Sequence, residues 1–229
     1  MILDTILYSL LSGILPALLW LWFWVKEDNL HPEPKRTIIL AFIAGAASVV
    51  VALLIEKIIA DSGFGETTNY ILWAATEEIV KLLAVSIIAF STKELDEPID
   101  AMIYCITVAL GFSALENTLF IFSPLNSGNI TGSIVTGSLR FMGATLVHVV
   151  SSASIGFMIG LTLFRSVSIK TIAIIFGVIL AMTLHAAFNL SIINMTAAET
   201  LKVFGWVWGA IVILLILFEE IKVVKPKAQ

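Results

Sequence analysis

Long apolar runs separated by short polar segments dominate the chain, and no run shows the two-residue alternation of a strand. Seven runs are long enough to cross ~30 Å of hydrocarbon, which takes ~20 helical residues. They predict membrane-spanning helices over 5–25, 37–60, 68–91, 98–122, 135–164, 169–194 and 201–221. The connecting segments are short, so successive helices are expected to run antiparallel within one helical-bundle domain covering 1–229. The expected fold is an all-α polytopic membrane protein.

Small residues mark where these helices should approach closely. The second run places Ala41 with Gly45, and Ala44 with Ser48, four residues apart; the fifth aligns Ser152, Gly156 and Gly160. Trp20, Trp22 and Trp24 near the end of the first run read as an interfacial aromatic belt. The segment 123–134 is rich in Ser, Asn and Gly and is expected to be the most mobile loop. Pro98 suits the first turn of a helix, with Asp96, Glu97 and Asp100 as its caps. His31, in a Pro-stiffened polar turn, is expected to be solvated.

Basic residues then orient the bundle. Lys26, Lys35 and Arg36 follow the first run, Lys93 the third, Arg165 the fifth, and Lys222, Lys225 and Lys227 the seventh. The alternate loops, 61–67 and 123–134, contain neither Lys nor Arg. The positive-inside rule therefore puts the N-terminus outside and the C-terminus in the cytoplasm. At the N-terminus Asp4 replaces a basic leader region, so the first run is expected to be retained rather than cleaved.

Composition agrees. Of 229 residues, 59% are hydrophobic and 13% charged, against about 25% charged in a soluble domain. A net charge of −4 speaks against a nucleic-acid partner, and one cysteine, Cys105, excludes an intramolecular disulfide. The expected setting is a cell membrane, prokaryotic, with the lipid bilayer as solvent.

Against this apolar background the polar residues inside the runs stand out. The third run contains Thr76-Glu77-Glu78-Ile79-Val80-Lys81. Each such charge costs at least ~2.5–3.5 kcal/mol at the centre of a membrane helix. Lys81 is four residues from Glu77 and three from Glu78, within reach of either. Two close carboxylates resist ionising together, which makes the pair a candidate acid/base site. Further pairs share a helix face at four-residue spacing: Phe112 with Glu116, His148 with Ser152, and His185 with Asn189. At ~1.5 Å per residue, Glu77, Glu116, His148, His185 and Asn189 fall in one layer roughly 8–20 Å below the external face. Arg140 lies nearer that face, where snorkelling accounts for it.

Several chemistries are excluded by what is missing. There is no His-Glu-x-x-His helix, no Asp in the membrane layer, and no Gly-x-Ser-x-Gly elbow. What remains is a carboxylate that takes a proton from attacking water, with imidazole and the Asn189 amide stabilising an oxyanion. A zinc or other metal bound by His148, His185 and Glu77 or Glu116 is also chemically reasonable, although no tightly bound cofactor is expected beside Lys81. A proton-coupled transporter using the same Glu/His chain, or a non-catalytic scaffold, would display the same residues.

Glu77-Glu78-x-x-Lys81, Phe112-x-x-x-Glu116, His148-x-x-x-Ser152 and His185-x-x-x-Asn189, in this order, resemble the four motifs of the PrsW family of glutamic intramembrane proteases. His31-Pro32-Glu33-Pro34 and Asp96-Glu97-Pro98-Ile99-Asp100-Ala101 resemble two further stretches of that family, so the similarity spans about 25–195. The family is similar in turn to type II CAAX prenyl proteases, Abi proteins and Aph-1. The resemblance implies an intramembrane endopeptidase that cuts a membrane-anchored protein, in the family an anti-sigma factor, on its extracytoplasmic side. It implies Glu77 as general base, tuned by Glu78 and Lys81, with His148 and Glu116 assisting the water and His185 and Asn189 holding the oxyanion. Phe112 and Ser152 would support them. Glu116 stands where the CAAX proteases have His, which speaks against a prenylated substrate.

Overall fold

The computed structural model describes residues 2–28, 31–89, 92–193 and 197–224, and among these every regular element is helical. The helices are α1 (Ile2–Glu27), α2 (Lys35–Asp61), α3 (Glu66–Ile88), α4 (Pro98–Asn126), α5 (Ile130–Leu139), α6 (Thr145–Leu161), α7 (Val167–Ile192) and α8 (Ala197–Ile221). A π-helical turn, Arg140–Ala144, joins α5 to α6 into one run over Ile130–Leu161. Among the described residues six units are long and apolar enough to cross a membrane: α1, α2, α4, α5 with α6, α7 and α8. α3 has the length of a seventh and carries Glu77, Glu78 and Lys81 through its middle.

α4 is the axis of the bundle. Between Asp100 and Glu116 its side chains are apolar or small all round, and a helix of that kind belongs in a core. It is buried from Pro98 to Ala114 and again at Asn117 and Thr118, packed by α1, α2 and α6. The approach of α2 is close enough to require glycine on both helices. A Cβ on Gly45 would run into the Val108 carbonyl, and one on Gly111 into that of Phe42. Gly156 and Gly160 let α6 approach Ala101 and Pro98 of α4 in the same way. The small-residue spacing thus reported true contacts. α1, α2, α7 and α8 turn Leu, Ile and Val outward, as a lipid-facing surface requires.

Three local expectations change. The loop expected over 123–134 shrinks to 127–129, because α4 continues through Pro124 and Asn129 caps α5, its side chain accepting the Gly132 N–H at 2.8 Å. Of the three tryptophans only Trp22 is exposed, with Lys26 above its ring. Trp24 is fully buried against Phe23 and Phe218, and Trp20 packs on Phe141 and Trp208, so the belt is mostly core. His31 is exposed but not merely solvated: its Nδ1 lies 2.8 Å from Glu97 Oε1. Residues 90–91 and 194, at the ends of two expected spans, and Lys225 and Lys227 fall outside the described residues. The caps of α4 are as expected, with Glu97 and Asp100 forming a reciprocal capping box around Pro98.

Candidate functional site

The polar residues of four helices meet near one end of the bundle, the end formed by the α2–α3 and α4–α5 turns. α3 is the source of the first group. Glu77, Glu78 and Lys81 are 6%, 0% and 1% exposed, a burial that demands partners. Lys81 Nζ donates to Glu78 Oε1 at 2.6 Å and to His148 Nδ1 at 2.9 Å, and lies 4.8 Å from the centre of the Phe112 ring. The expectation that Lys81 serves either glutamate resolves in favour of Glu78, three residues away. Glu78 is fully engaged: Ser152 Oγ donates to its Oε2 at 3.0 Å, and His185 Nδ1 to its Oε1 at 2.8 Å.

The second group comes from α4 and from the α5–α6 run. Glu116 Oε2 accepts from His148 Nε2 at 2.9 Å and from Arg140 Nη2 at 2.5 Å. Arg140 opens the π-helical turn, a feature found disproportionately at functional sites. Its Nε donates to Asn117 Oδ1 at 2.5 Å and its guanidinium lies 3.9 Å from the centre of the Phe120 ring. Asn117 in turn donates to Ser113 and Thr145. Arg140 is therefore not a snorkelling residue; it is 15% exposed and braces Glu116. Spacing alone gave no signal for this, because the π turn alters the face on which Arg140 falls.

These bonds fix the tautomers. A lysine only donates, so His148 Nδ1 accepts and its Nε2 carries the proton given to Glu116. A carboxylate only accepts, so His185 Nδ1 carries a proton. His185 Nε2 lies 3.7 Å from Glu77 Oε2, which is also 3.7 Å from His148 Nδ1. Glu77 Oε2 is buried and has no hydrogen-bond partner. The two imidazole rings stand nearly perpendicular, 4.8 Å between centres.

Glu77, Glu116, His148, His185 and Asn189 line one cavity of about 390 Å³, walled by Val49, Phe112, Phe120 and Phe188 among others. Six of the residues singled out in the sequence are thus joined in one network, with Phe112 against His148 and Ser152 on Glu78. Asn189 reaches the cavity wall. Glu56 of α2 is also part of that wall and was not anticipated, since one Glu near a helix end reads as interfacial. No tightly bound cofactor was expected beside Lys81; the structure pairs Lys81 with Glu78 and puts a carboxylate behind each histidine, Glu116 behind His148 and Glu78 behind His185.

A polytopic helical membrane protein with a buried carboxylate–imidazole centre is the class that fold and site define. The sequence pattern described as PrsW family intramembrane metalloprotease matches residues 33–218, and the chain belongs to the PrsW family of intramembrane proteases. It is 28% identical over 187 residues to a Protease PrsW of Clostridioides difficile, covering 78% of this chain and 76% of the relative. It is 27% identical over 158 residues to that of Geobacillus kaustophilus, covering 67% of each. The Protease PrsW of Oceanobacillus iheyensis is 30% identical over 158 residues, 66% of this chain and 68% of the relative. No solved structure matches the chain.

Proposed function

We propose that this protein hydrolyses a peptide bond of a membrane-anchored protein substrate, with Glu77 receiving the proton of the attacking water. The observation that carries this reading is the state of Glu77 Oε2: buried, unpartnered, and facing two ring nitrogens at 3.7 Å. Polar atoms separated by more than a direct hydrogen bond can be joined through a water. A water there would give a hydrogen to Glu77 Oε2 and sit beside His185 Nε2. The other carboxylate is unsuited to the base role, since Glu78 is held by Lys81, Ser152 and His185. Asn189, also on α7, brings an amide to the cavity where an oxyanion could be met. The cavity opens toward the α2–α3 end, which the Lys/Arg pattern assigns to the outside of a bacterial cell membrane. The family resemblance adds an anti-sigma factor as the substrate class.

One second reading has its own support. Glu77, His148 and His185 each offer a ligand atom, all within 4.8 Å of one another. Ligands of tetrahedral zinc lie about 3.4 Å apart, close to the 3.7 Å found here. Carboxylates behind both imidazoles are the usual outer partners of metal-binding histidines, and the family description says metalloprotease. The donor set fits a zinc ion, held by Glu77, His148 and His185, once Lys81 gives up His148 Nδ1. A zinc ion supplies Lewis acidity and a bound water of lowered pKa. In that case Glu78 and Glu116 orient the histidines and Lys81 balances the charge of Glu78.

The test is cleavage of a single-span substrate by the purified protein in liposomes, with and without chelator, beside elemental analysis. The glutamate reading expects cleavage that survives chelation and is lost in Glu77→Gln. Stoichiometric zinc with chelator-sensitive cleavage would transfer the assignment to the metal reading. Undiminished cleavage by folded Glu77→Gln protein would end both.

A further inference from the structure

Two stretches marked in the sequence, His31-Pro32-Glu33-Pro34 and Asp96–Ala101, take no part in the Glu77 centre. They meet at the opposite end of the bundle. Asp28 follows α1, Glu33 precedes α2, and Asp100 lies in the first turn of α4. One carboxylate oxygen from each lies within 4.8 Å of the other two.

All three are buried: Asp28 is 6% exposed, Glu33 9% and Asp100 1%. Part of their capacity is committed. Asp100 Oδ2 accepts the N–H of Asp96 at 3.0 Å and of Glu97 at 2.6 Å, and Glu33 Oε2 accepts the Tyr104 hydroxyl. Asp28 is different. Its Oδ2 is buried with no hydrogen-bond partner, although the residue sits within reach of two other acids. A carboxylate oxygen of Glu33 lies within 4.8 Å of one of Asp100, a proximity that two ionised carboxylates do not keep unaided. Burial, then the charge of Glu97, holds the Asp28 carboxyl above its ordinary range, and burial does the same to Glu33.

The neighbouring cations do not answer this need. Lys222 of α8 acts on Asp28 electrostatically, but its Nζ donates to the Glu27 carbonyl at 3.0 Å and to Glu219 at 2.6 Å. His31 faces Glu97 on the outer side, 72% exposed. Three buried acids thus converge where a dedicated positive charge is missing among the described residues.

We propose that Asp28, Glu33 and Asp100 bind a hard divalent cation, Ca²⁺ or Mg²⁺, at the end of the bundle opposite the Glu77 centre. The donors are carboxylate oxygens only, which suits these ions rather than zinc. Oxygens up to 4.8 Å apart are spanned by Ca²⁺, whose bonds of about 2.3–2.6 Å allow ligand separations to ~5 Å. The bound ion would satisfy the orphaned Asp28 oxygen and fasten the α1–α2 turn to the start of α4.

The test uses the full chain in detergent, with Tb³⁺ as a luminescent calcium mimic and Tyr104, bonded to Glu33, as its antenna. Tyr104-sensitised luminescence should appear, be displaced by Ca²⁺, and weaken by about tenfold or more in binding for Asp28→Asn. Ca²⁺ should raise the melting temperature of the wild type and of Glu77→Gln alike. Asp100 also caps α4, so Glu33→Gln, which leaves that cap intact, is the second variant and should lose the calcium shift as well. Absence of displaceable luminescence from the wild type overturns the proposal. So does a calcium shift kept in both Asp28→Asn and Glu33→Gln, or lost in Glu77→Gln, which would place the ion in the other centre.

Discussion

Lys81 is paired with Glu78, not with Glu77: its Nζ lies 2.6 Å from Glu78 Oε1, both side chains being almost wholly buried. The two adjacent glutamates therefore differ in what their removal exposes. Glu78→Gln leaves Lys81 without its counter-charge and should destabilise the protein by roughly 3–5 kcal/mol. Glu77→Gln removes no hydrogen bond made by Oε2, and should leave thermal stability nearly unchanged while lowering turnover by at least ~10²–10⁴-fold. Thermal unfolding and turnover measured on the same preparations separate the two. Equal stability losses in both variants would contradict the assignment of Lys81 to Glu78.

Arg140 and Glu116 give a second test. Arg140 holds Glu116 and Asn117 together, with both members of the ion pair about 15% exposed. Arg140→Met leaves Glu116 with only His148 as partner and should cost about 1–3 kcal/mol, as for a hydrogen bond to a charged group. In a double-mutant cycle with Glu116→Gln the coupling should be roughly 0.5–3 kcal/mol. A coupling near zero would restore the snorkelling account of Arg140.

How much of this was legible beforehand follows from what each signal encodes. Span number and the polar layer came from hydropathy and residue spacing, because lipid forces long apolar helices and makes each intramembrane charge conspicuous. The convergence of Glu77, Glu116, His148 and His185 followed from depth alone, since antiparallel helices preserve height. Azimuth is not encoded so simply. The choice of Lys81 between two glutamates depends on where His148 stands, and the aim of Arg140 depends on a π turn that no spacing rule shows. Trp24 was misread for the same reason: its depth suits a belt, but its face meets Phe218 of α8. The partnership of Asp28 and Glu33 with Asp100 was hidden because it joins segments far apart in the chain.

The α2–α4 contact gives a prediction of sign. Gly111→Ala places a methyl against the Phe42 carbonyl and should cost about 1–3 kcal/mol, as overpacking does in a close-packed core. Gly209→Ala in α8 meets nothing within 4 Å and should be neutral or stabilise by about 0.5–1 kcal/mol through helix propensity. Thermal unfolding of the two variants in one detergent is the measurement. Matching effects would show that helix propensity rather than close approach governs both positions.

Topology decides from which side a substrate reaches the site. Cavity-lining residues run from the middle of α2 toward its end (Val49, Glu56), from the start of α3 to its middle (Tyr70, Glu77), late in α4 (Glu116, Phe120) and late in α7 (Asn189, Ile192), so the cavity lies on the α2–α3 side of the middle. The turns at that end, 62–65 and 127–129, contain no Lys or Arg, while Lys35 and Arg36, Lys93 and Arg165 lie at the other. The positive-inside rule then predicts that the cavity faces outward. Reporter fusions at residues 64 and 128 should register outside, and fusions at 94 and 167 in the cytoplasm. A cytoplasmic signal from residue 128 would reverse the bundle, turn the Glu77 centre toward the cytoplasm, and exclude an extracytoplasmic cut. It would also move Asp28, Glu33 and Asp100 to the outer surface, where calcium is abundant and their proposed ion would be held continuously rather than on demand.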